Sequence, residues 1–245
     1  MQFLGTKPIN TLWVVQKYIE RPLLYHGRKF DIRVWVLVTG KGEVYFYRKG
    51  YIRTSSDEYS LDKSNNYVHL TNNCLQKFGS GYSKFEEGNT LPLETLQDYV
   101  NGLEMYNGLG FDLERDIVLR IKDIIIDTLV AGKKAFLGRK REFELFGYDF
   151  LVDEDLRTWL IEVNTNPYLG VPNDYIKDLL NKMLDDMLKL VVDPVFPPKN
   201  TDIFSNTNDF ELIYSEDPFR TTRSQFSKAV YPIESLAQGP NRKKN

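Results

Sequence analysis

The segment from Phe146 to Asn164 constrains the fold of this chain more than any other. It reads Phe-Gly-Tyr-Asp-Phe-Leu-Val, then Asp-Glu-Asp-Leu-Arg, then Thr-Trp-Leu-Ile-Glu-Val-Asn. Aromatic and β-branched residues on both sides of a polar turn predict two paired strands. Pairing Asp153 with Thr158 leaves a four-residue loop. Asp149 then falls opposite Glu162, and Asn164 lies two residues further along the same face. Opposed carboxylates repel, so in a buried pair one takes a proton or a cation sits between them. Two carboxylates and an amide carbonyl are hard oxygen donors that suit Mg²⁺, which completes its shell with water and substrate phosphates. The other reading is an exposed polar hairpin face. Tyr148, Phe150, Leu151, Trp159, Leu160, Ile161 and Val163 make both faces look buried, which favours the cation.

Composition is that of a chain able to bury a core: 245 residues, 42% hydrophobic and 27% charged. A net charge of -2 gives no global argument for nucleic acid. Cys74 is the one cysteine, which excludes an internal disulfide framework and a cysteine-based zinc cluster. His26 and His69 are the only histidines. No apolar run approaches the roughly 20 residues of a membrane span, and the first residues lack the form of a signal peptide. The expectation is a soluble cytoplasmic protein without nucleic-acid or membrane partners.

Residues 1–53 carry ten Lys or Arg against three acids, a local +7. Such a stretch suggests an anionic ligand or, equally, a solvated face. Val14–Ile19 and Phe30–Val38 read as strands, and Thr39-Gly-Lys-Gly42 turns the chain into a third, Glu43–Arg48. That Gly-Lys-Gly has the wrong spacing for a phosphate-binding Walker loop. Within Arg28-Lys-Phe-Asp-Ile-Arg33, strand alternation puts Lys29, Asp31 and Arg33 on one face and Phe30 and Ile32 on the other. A cation–anion–cation row can hold phosphate and ribose or metal; surface salt bridges are the alternative. Residues 54–92 form a long polar segment, of the kind that is usually functional. Leu93–Leu103, Glu114–Lys134 and Asn173–Val192 predict helices, the last with Ile176, Leu179, Leu180, Met183, Leu184, Met187, Leu188 and Val191 inward.

Six motifs then carry a resemblance. They are Trp13-Val-Val-Gln-Lys-Tyr-Ile-Glu-Arg-Pro-Leu-Leu24, Arg28-Lys-Phe-Asp-Ile-Arg33, Tyr47-Arg-Lys-Gly-Tyr-Ile-Arg-Thr-Ser-Ser56, His69-Leu-Thr-Asn-Asn-Cys-Leu-Gln-Lys77, Phe85-Glu-Glu-Gly-Asn89 and Phe146–Pro167. In this order they resemble the tubulin–tyrosine ligase family. Arg-Thr-Ser-Ser and Glu-Glu-Gly-Asn are most similar to the tyrosine ligase itself, Asn-Thr-Asn-Pro to glutamylases and glycylases, so the subfamily stays open. The resemblance implies an α+β, ATP-grasp-like fold with antiparallel strands and packed helices. It implies ATP- and Mg²⁺-dependent ligation of an amino acid to tubulin through an acyl phosphate. Gln16, Lys17, Tyr18 and Ile19 resemble the adenine-contacting hinge strand. Lys29 and Asp31 resemble nucleotide ligands, and Thr71 and Asn72 residues near the phosphates. Asp149, Glu162 and Asn164 resemble the magnesium ligands. Arg33 and Arg53 resemble the arginines that hold substrate carboxylate and developing charge. Cys74 has no partner of a nucleophile beyond the nearby His69 and reads as a bystander.

The expected organisation is a lead-in at 1–12, the ligase-type domain at 13–198 and a polar tail at 199–245 that wraps the domain or a neighbour, or stays loose. Members of the family carry a further phosphate-gripping lobe before the hinge, and here only twelve residues precede it. Two functional expectations therefore stand. One is a tubulin-modifying ligase, which the basic stretch would help to bring to acidic tubulin tails. The other is a non-catalytic scaffold of microtubules or cilia on the same fold, and the isolated chain is expected to be inactive. Either places it on the cytoskeleton, with the cilium or axoneme as the narrower site.

Overall fold

The computed structural model describes residues 14–62, 64–136, 142–197 and 207–215. Its strands are β1 (Leu24–Tyr25), β2 (Arg28–Thr39), β3 (Val44–Tyr47), β4 (Tyr51–Thr54), β5 (Thr90–Pro92), β6 (Phe143–Val152), β7 (Thr158–Asn164) and β8 (Phe210–Tyr214). Its α-helices are α1 (Asn66–His69), α2 (Asn73–Gln76), α3 (Thr95–Asn101), α4 (Leu119–Phe136) and α5 (Asp174–Val191). All strand pairs are antiparallel. This is the mixed architecture that the sequence led us to expect.

β2 organises the sheet because its twelve residues are long enough to take four partners, the short β1 pairing with Arg28 and Lys29 at its start. Phe30–Arg33 pair with β4 and Val36–Val38 with β3, while Ile32–Thr39 pair with β6 on the other edge. The hairpin after β2 closes at Gly42, whose φ of 76° is one that glycine adopts without strain. Even-numbered β2 residues Phe30, Ile32, Val34, Val36 and Val38 pack with Leu96 and Val100 of α3 and with Ile117, Ile121 and Ile125. Odd-numbered Trp35 and Leu37 pack with Tyr47, Tyr51 and the Ile176, Leu179, Leu180, Met183 and Met187 stripe of α5. Asn173 starts α5 by accepting the Ile176 N–H at 2.9 Å. Among the described residues, no helix is long and apolar enough to cross a membrane.

Several details differ from expectation. Val14–Ile19 is irregular rather than a strand. Val14 and Val15 are almost fully exposed, so high β-propensity meets no strand to pair with. Leu188 is exposed at the end of α5. The polar 54–92 segment contains α1, α2 and β5. From the polar tail, β8 pairs with β3 at the sheet's edge.

The β6–β7 hairpin is shifted at its turn. Val152, not Asp153, pairs with Thr158. An irregularity between Asp149 and Phe150 then restores the expected register, and Asp149 does face Glu162. β7 is more open than expected: Trp159, Ile161 and Val163 on one face and Glu162 on the other are exposed.

Candidate functional site

Along the odd-numbered face of β2 the chemistry changes abruptly. Leu37 and Trp35 are apolar and covered by α5, whereas Arg33, Asp31 and Lys29 are charged. Strand register brings partners to this charged half. Arg53 on β4 lies opposite Asp31, and Asp149 on β6 lies opposite Arg33.

These four side chains form an ion lattice. Arg33 grips Asp149 with both arms of its fork, Nε to Oδ1 and Nη2 to Oδ2, the latter at 3.0 Å. Arg53 donates from Nη2 to Asp149 Oδ2 at 2.8 Å and from Nε to Asp31 Oδ1 at 2.6 Å. The Thr71 hydroxyl donates to the other Asp31 oxygen. All five residues are buried. Burial by itself would raise the Asp149 pKa, but the Arg33 and Arg53 guanidiniums outweigh it and hold the carboxyl below its ordinary range. Burial would likewise lower Arg53, yet Asp31 and Asp149 raise it. The lattice sets two basic side chains against two acidic ones.

Gly147 makes room for this arrangement. A β-carbon there would lie 2.8 Å from Pro167 Cβ and 3.4 Å from Arg33 Nη1. Gly147→Ala is expected to cost about 1–3 kcal/mol of stability through overpacking, readable as a lowered denaturation midpoint.

Two residues along β2 from Asp31, Lys29 reaches a cleft of about 600 Å³ that is otherwise lined by residues 16–21 and by hairpin side chains including Asp153, Arg157, Trp159 and Ile161, and by none of the lattice residues. That volume suits a small-molecule ligand. Residues 16–21 reach it as an irregular strap. Tyr18 hydrogen-bonds His69 Nδ1 at 2.8 Å, and Lys29 Nζ donates to the Tyr18 hydroxyl at 3.3 Å while lying 4.6 Å from its ring centre. Arg21 pairs with Glu154. Burial lowers the Lys29 pKa, partly opposed by Asp31.

The sequence-predicted residues thus divide into groups. Gln16, Lys17, Tyr18, Ile19 and Lys29 line the cleft. Asp31, Arg33, Arg53, Thr71 and Asp149 form the lattice. Glu162 and Asn164 lie together at the open end of β7, with Asn164 Nδ2 donating to Glu162 Oε1 at 3.2 Å. Asn72 caps α2, accepting the Cys74 N–H at 2.9 Å. Cys74 is exposed. Among the described residues no three His, Cys, Asp or Glu side chains converge as a metal cluster. Asp149, Glu162 and Asn164 are hard-oxygen donors of the kind a divalent cation takes, and both Asp149 oxygens accept from arginines in this structure.

Most cations of the basic stretch have acidic partners, although Lys17, Arg21, Arg48 and Lys49 stay more than half exposed. Lys17, Arg21, Arg28, Arg33, Arg48, Lys49 and Arg53 all pair with carboxylates. Sequence reasoning counted charge along the chain, whereas the fold brings acids from later segments. Arg28, for example, pairs with Glu86 at 2.8 Å.

Asp153 was also missed as more than a turn residue. Its Oδ1 accepts the N–H groups of Asp155 and Arg157 at 2.9 Å each, and its Oδ2 accepts Trp159 Nε1 at 2.8 Å. The available signal was an aspartate opening a turn two residues before another polar residue. It fixes the indole on the cleft wall.

Comparison with known proteins gives a consistent picture. A sequence model described as the tubulin-tyrosine ligase family matches residues 6–203. Tubulin glycylase 3A of Drosophila melanogaster is 37% identical over 212 residues, covering 83% of this chain and 20% of the relative. Tubulin monoglycylase TTLL3 of Homo sapiens is 37% identical over 210 residues, covering 83% and 26%. Probable alpha-tubulin polyglutamylase Ttll1 of Tetrahymena thermophila is 34% identical over 219 residues, covering 85% and 52%. The chain thus spans about a fifth to a half of the length of these relatives.

Proposed function

Since the chain belongs to the tubulin-tyrosine ligase family, we propose that it carries the nucleotide-binding and ligation face of an ATP-dependent ligase that joins an amino acid to tubulin. Glycine and glutamate are the favoured amino acids, after the glycylases and the polyglutamylase among its relatives. Tubulin as acceptor places the protein on the microtubule cytoskeleton, including the cilium. The observation that carries this reading is the juxtaposition of a ligand-sized cleft with a buried lattice of two arginines and two aspartates.

In this reading the strap at Gln16–Ile19 and the indole of Trp159 hold the base, and Lys29 faces the phosphates. Thr71, with Asn72 beside it, borders the phosphate side. Asp149, Glu162 and Asn164 would hold Mg²⁺, which when bound neutralises phosphate charge. Ligation passes through anions in sequence: the substrate carboxylate attacks the γ-phosphate of ATP and ADP leaves, giving an acyl phosphate; the amine then adds to its carbonyl to give a tetrahedral oxyanion, whose collapse expels phosphate and leaves the amide. Fixed guanidinium groups suit each of these. Arg33 and Arg53 are held in place by the aspartates before any substrate arrives, so little reorganisation is needed.

Two measurements test the reading. Trp159 is partly exposed in the cleft and Trp35 is buried under α5. An ATP analogue should therefore change the tryptophan fluorescence, and Trp159→Phe should remove the part that Trp159 reports, as judged against Trp13→Phe, which removes the third tryptophan of the chain. The full-length protein, given tubulin, ATP and labelled glycine or glutamate, should transfer label to tubulin. Nucleotide binding without transfer of any amino acid would contradict ligation.

A further inference from the structure

The loop after Arg53 is held by a buried amide outside the charge lattice. Thr54, Ser55 and Ser56 follow Arg53 and are all buried. Gln76, the last residue of α2, is fully buried and uses its whole side chain. Its Oε1 accepts the Ser56 N–H at 3.0 Å and the Ser56 hydroxyl at 2.5 Å. Its Nε2 donates to the carbonyls of Tyr67 at 3.0 Å and Leu70 at 2.6 Å. Leu70 immediately precedes Thr71, which donates to Asp31. Ser56 lies three residues after Arg53, which donates to the same carboxylate. One amide therefore joins the two segments that bring Asp31 its partners. Asn89 supports the Arg53 segment separately, donating to the Thr54 carbonyl and the Ser56 hydroxyl at 3.0 Å each.

We propose that Gln76 is a positioning residue that holds Arg53 and Thr71 on Asp31 by tying Ser56 to the Tyr67 and Leu70 carbonyls. Its consequence for catalysis rests on the ligase reading above; its effect on the lattice does not. Only an amide has the acceptor on one side and the two donors on the other. Gln76→Glu keeps the volume and the acceptor but turns an oxygen toward two carbonyl oxygens, leaving them unpaired in a buried place.

Arginine Nε–H exchange in the ¹⁵N-labelled chain, followed by NMR, tests this with an internal reference. Arg53 Nε–H bonds Asp31, whereas Arg33 Nε–H bonds Asp149. In Gln76→Glu, exchange at Arg53 should be about tenfold to a hundredfold faster, the opening expected from losing buried hydrogen bonds. Exchange at Arg33 should change little. Ser56→Ala removes the hydroxyl's bonds to Gln76 and to Asn89 but keeps the Ser56 N–H bond to Gln76, and should give a smaller increase at the same signal. If Gln76→Glu fails to fold, Ser56→Ala is read against Asn89→Ala, which removes the Asn89 support and leaves Gln76 in place: a response in Ser56→Ala no larger than in Asn89→Ala would overturn the proposal. Unchanged Arg53 exchange in the folded variants would overturn the proposal, as would equal acceleration at Arg33 and Arg53. A magnesium–ATP analogue titration of the same wild-type sample keeps the two readings apart. A selective Arg53 response without nucleotide binding supports the positioning role while removing the ligase reading.

Discussion

Asp149→Asn is expected to destabilise the fold by about 3–5 kcal/mol, because it leaves two buried guanidiniums without their shared counter-ion. Both Arg33 and Arg53 direct hydrogen bonds at this one carboxylate. Chemical denaturation of wild type and variant checks the loss. The pairing also sets a pH dependence. The folded pKa of Asp149 lies below its ordinary value of 3.8. Its contribution is therefore complete above that value and disappears as pH falls through the folded pKa. Wild type should lose stability steeply in acid, and Asp149→Asn should show a flatter acid limb from a lower plateau. An equally stable Asp149→Asn would mean that the lattice contributes little to the fold.

Arg53→Lys should reduce ligation by the full-length protein by about 10²–10³-fold, the scale of losing one preorganised donor to a developing anion. Arg53 reaches Asp31 through Nε and Asp149 through Nη2, a span that the single ammonium of lysine cannot reproduce. Nucleotide affinity should hold within a few-fold, because the cleft is lined by other residues. Lost nucleotide affinity with ligation surviving at saturating ATP would move Arg53 to the phosphates. No effect on either would favour the scaffold reading.

Strand alternation was enough to place Lys29, Asp31 and Arg33 on one face, since a period of two leaves no alternative once the strand is recognised. The opposition of Asp149 and Glu162 was also legible, although the turn register behind it was one residue off and a bulge compensated. Composition alone could not show that Gln16–Ile19 is an irregular strap. Its propensity is that of a strand, and what decides is whether a neighbouring strand is free to pair. The partners of the buried charges were hidden for a different reason. Arg33 and Asp149 are 116 residues apart and Arg28 and Glu86 are 58 apart, so only the folded sheet reveals that these buried arginines of the basic N-terminal stretch are paired. Gln76 gave no signal for the same reason: its partners come from two other segments, Ser56 after β4 and Tyr67 with Leu70 at α1, and nothing in a lone glutamine marks it as buried.

Calorimetry of the 245-residue chain with a non-hydrolysable ATP analogue tests the central claim most directly. Saturable binding that strengthens with Mg²⁺ is predicted, as is a loss of that strengthening in Glu162→Gln, which keeps the shape but removes a charged oxygen donor. Binding indifferent to both magnesium and Glu162→Gln would take the metal site away from the hairpin. A folded chain with no nucleotide binding would contradict the account of the cleft.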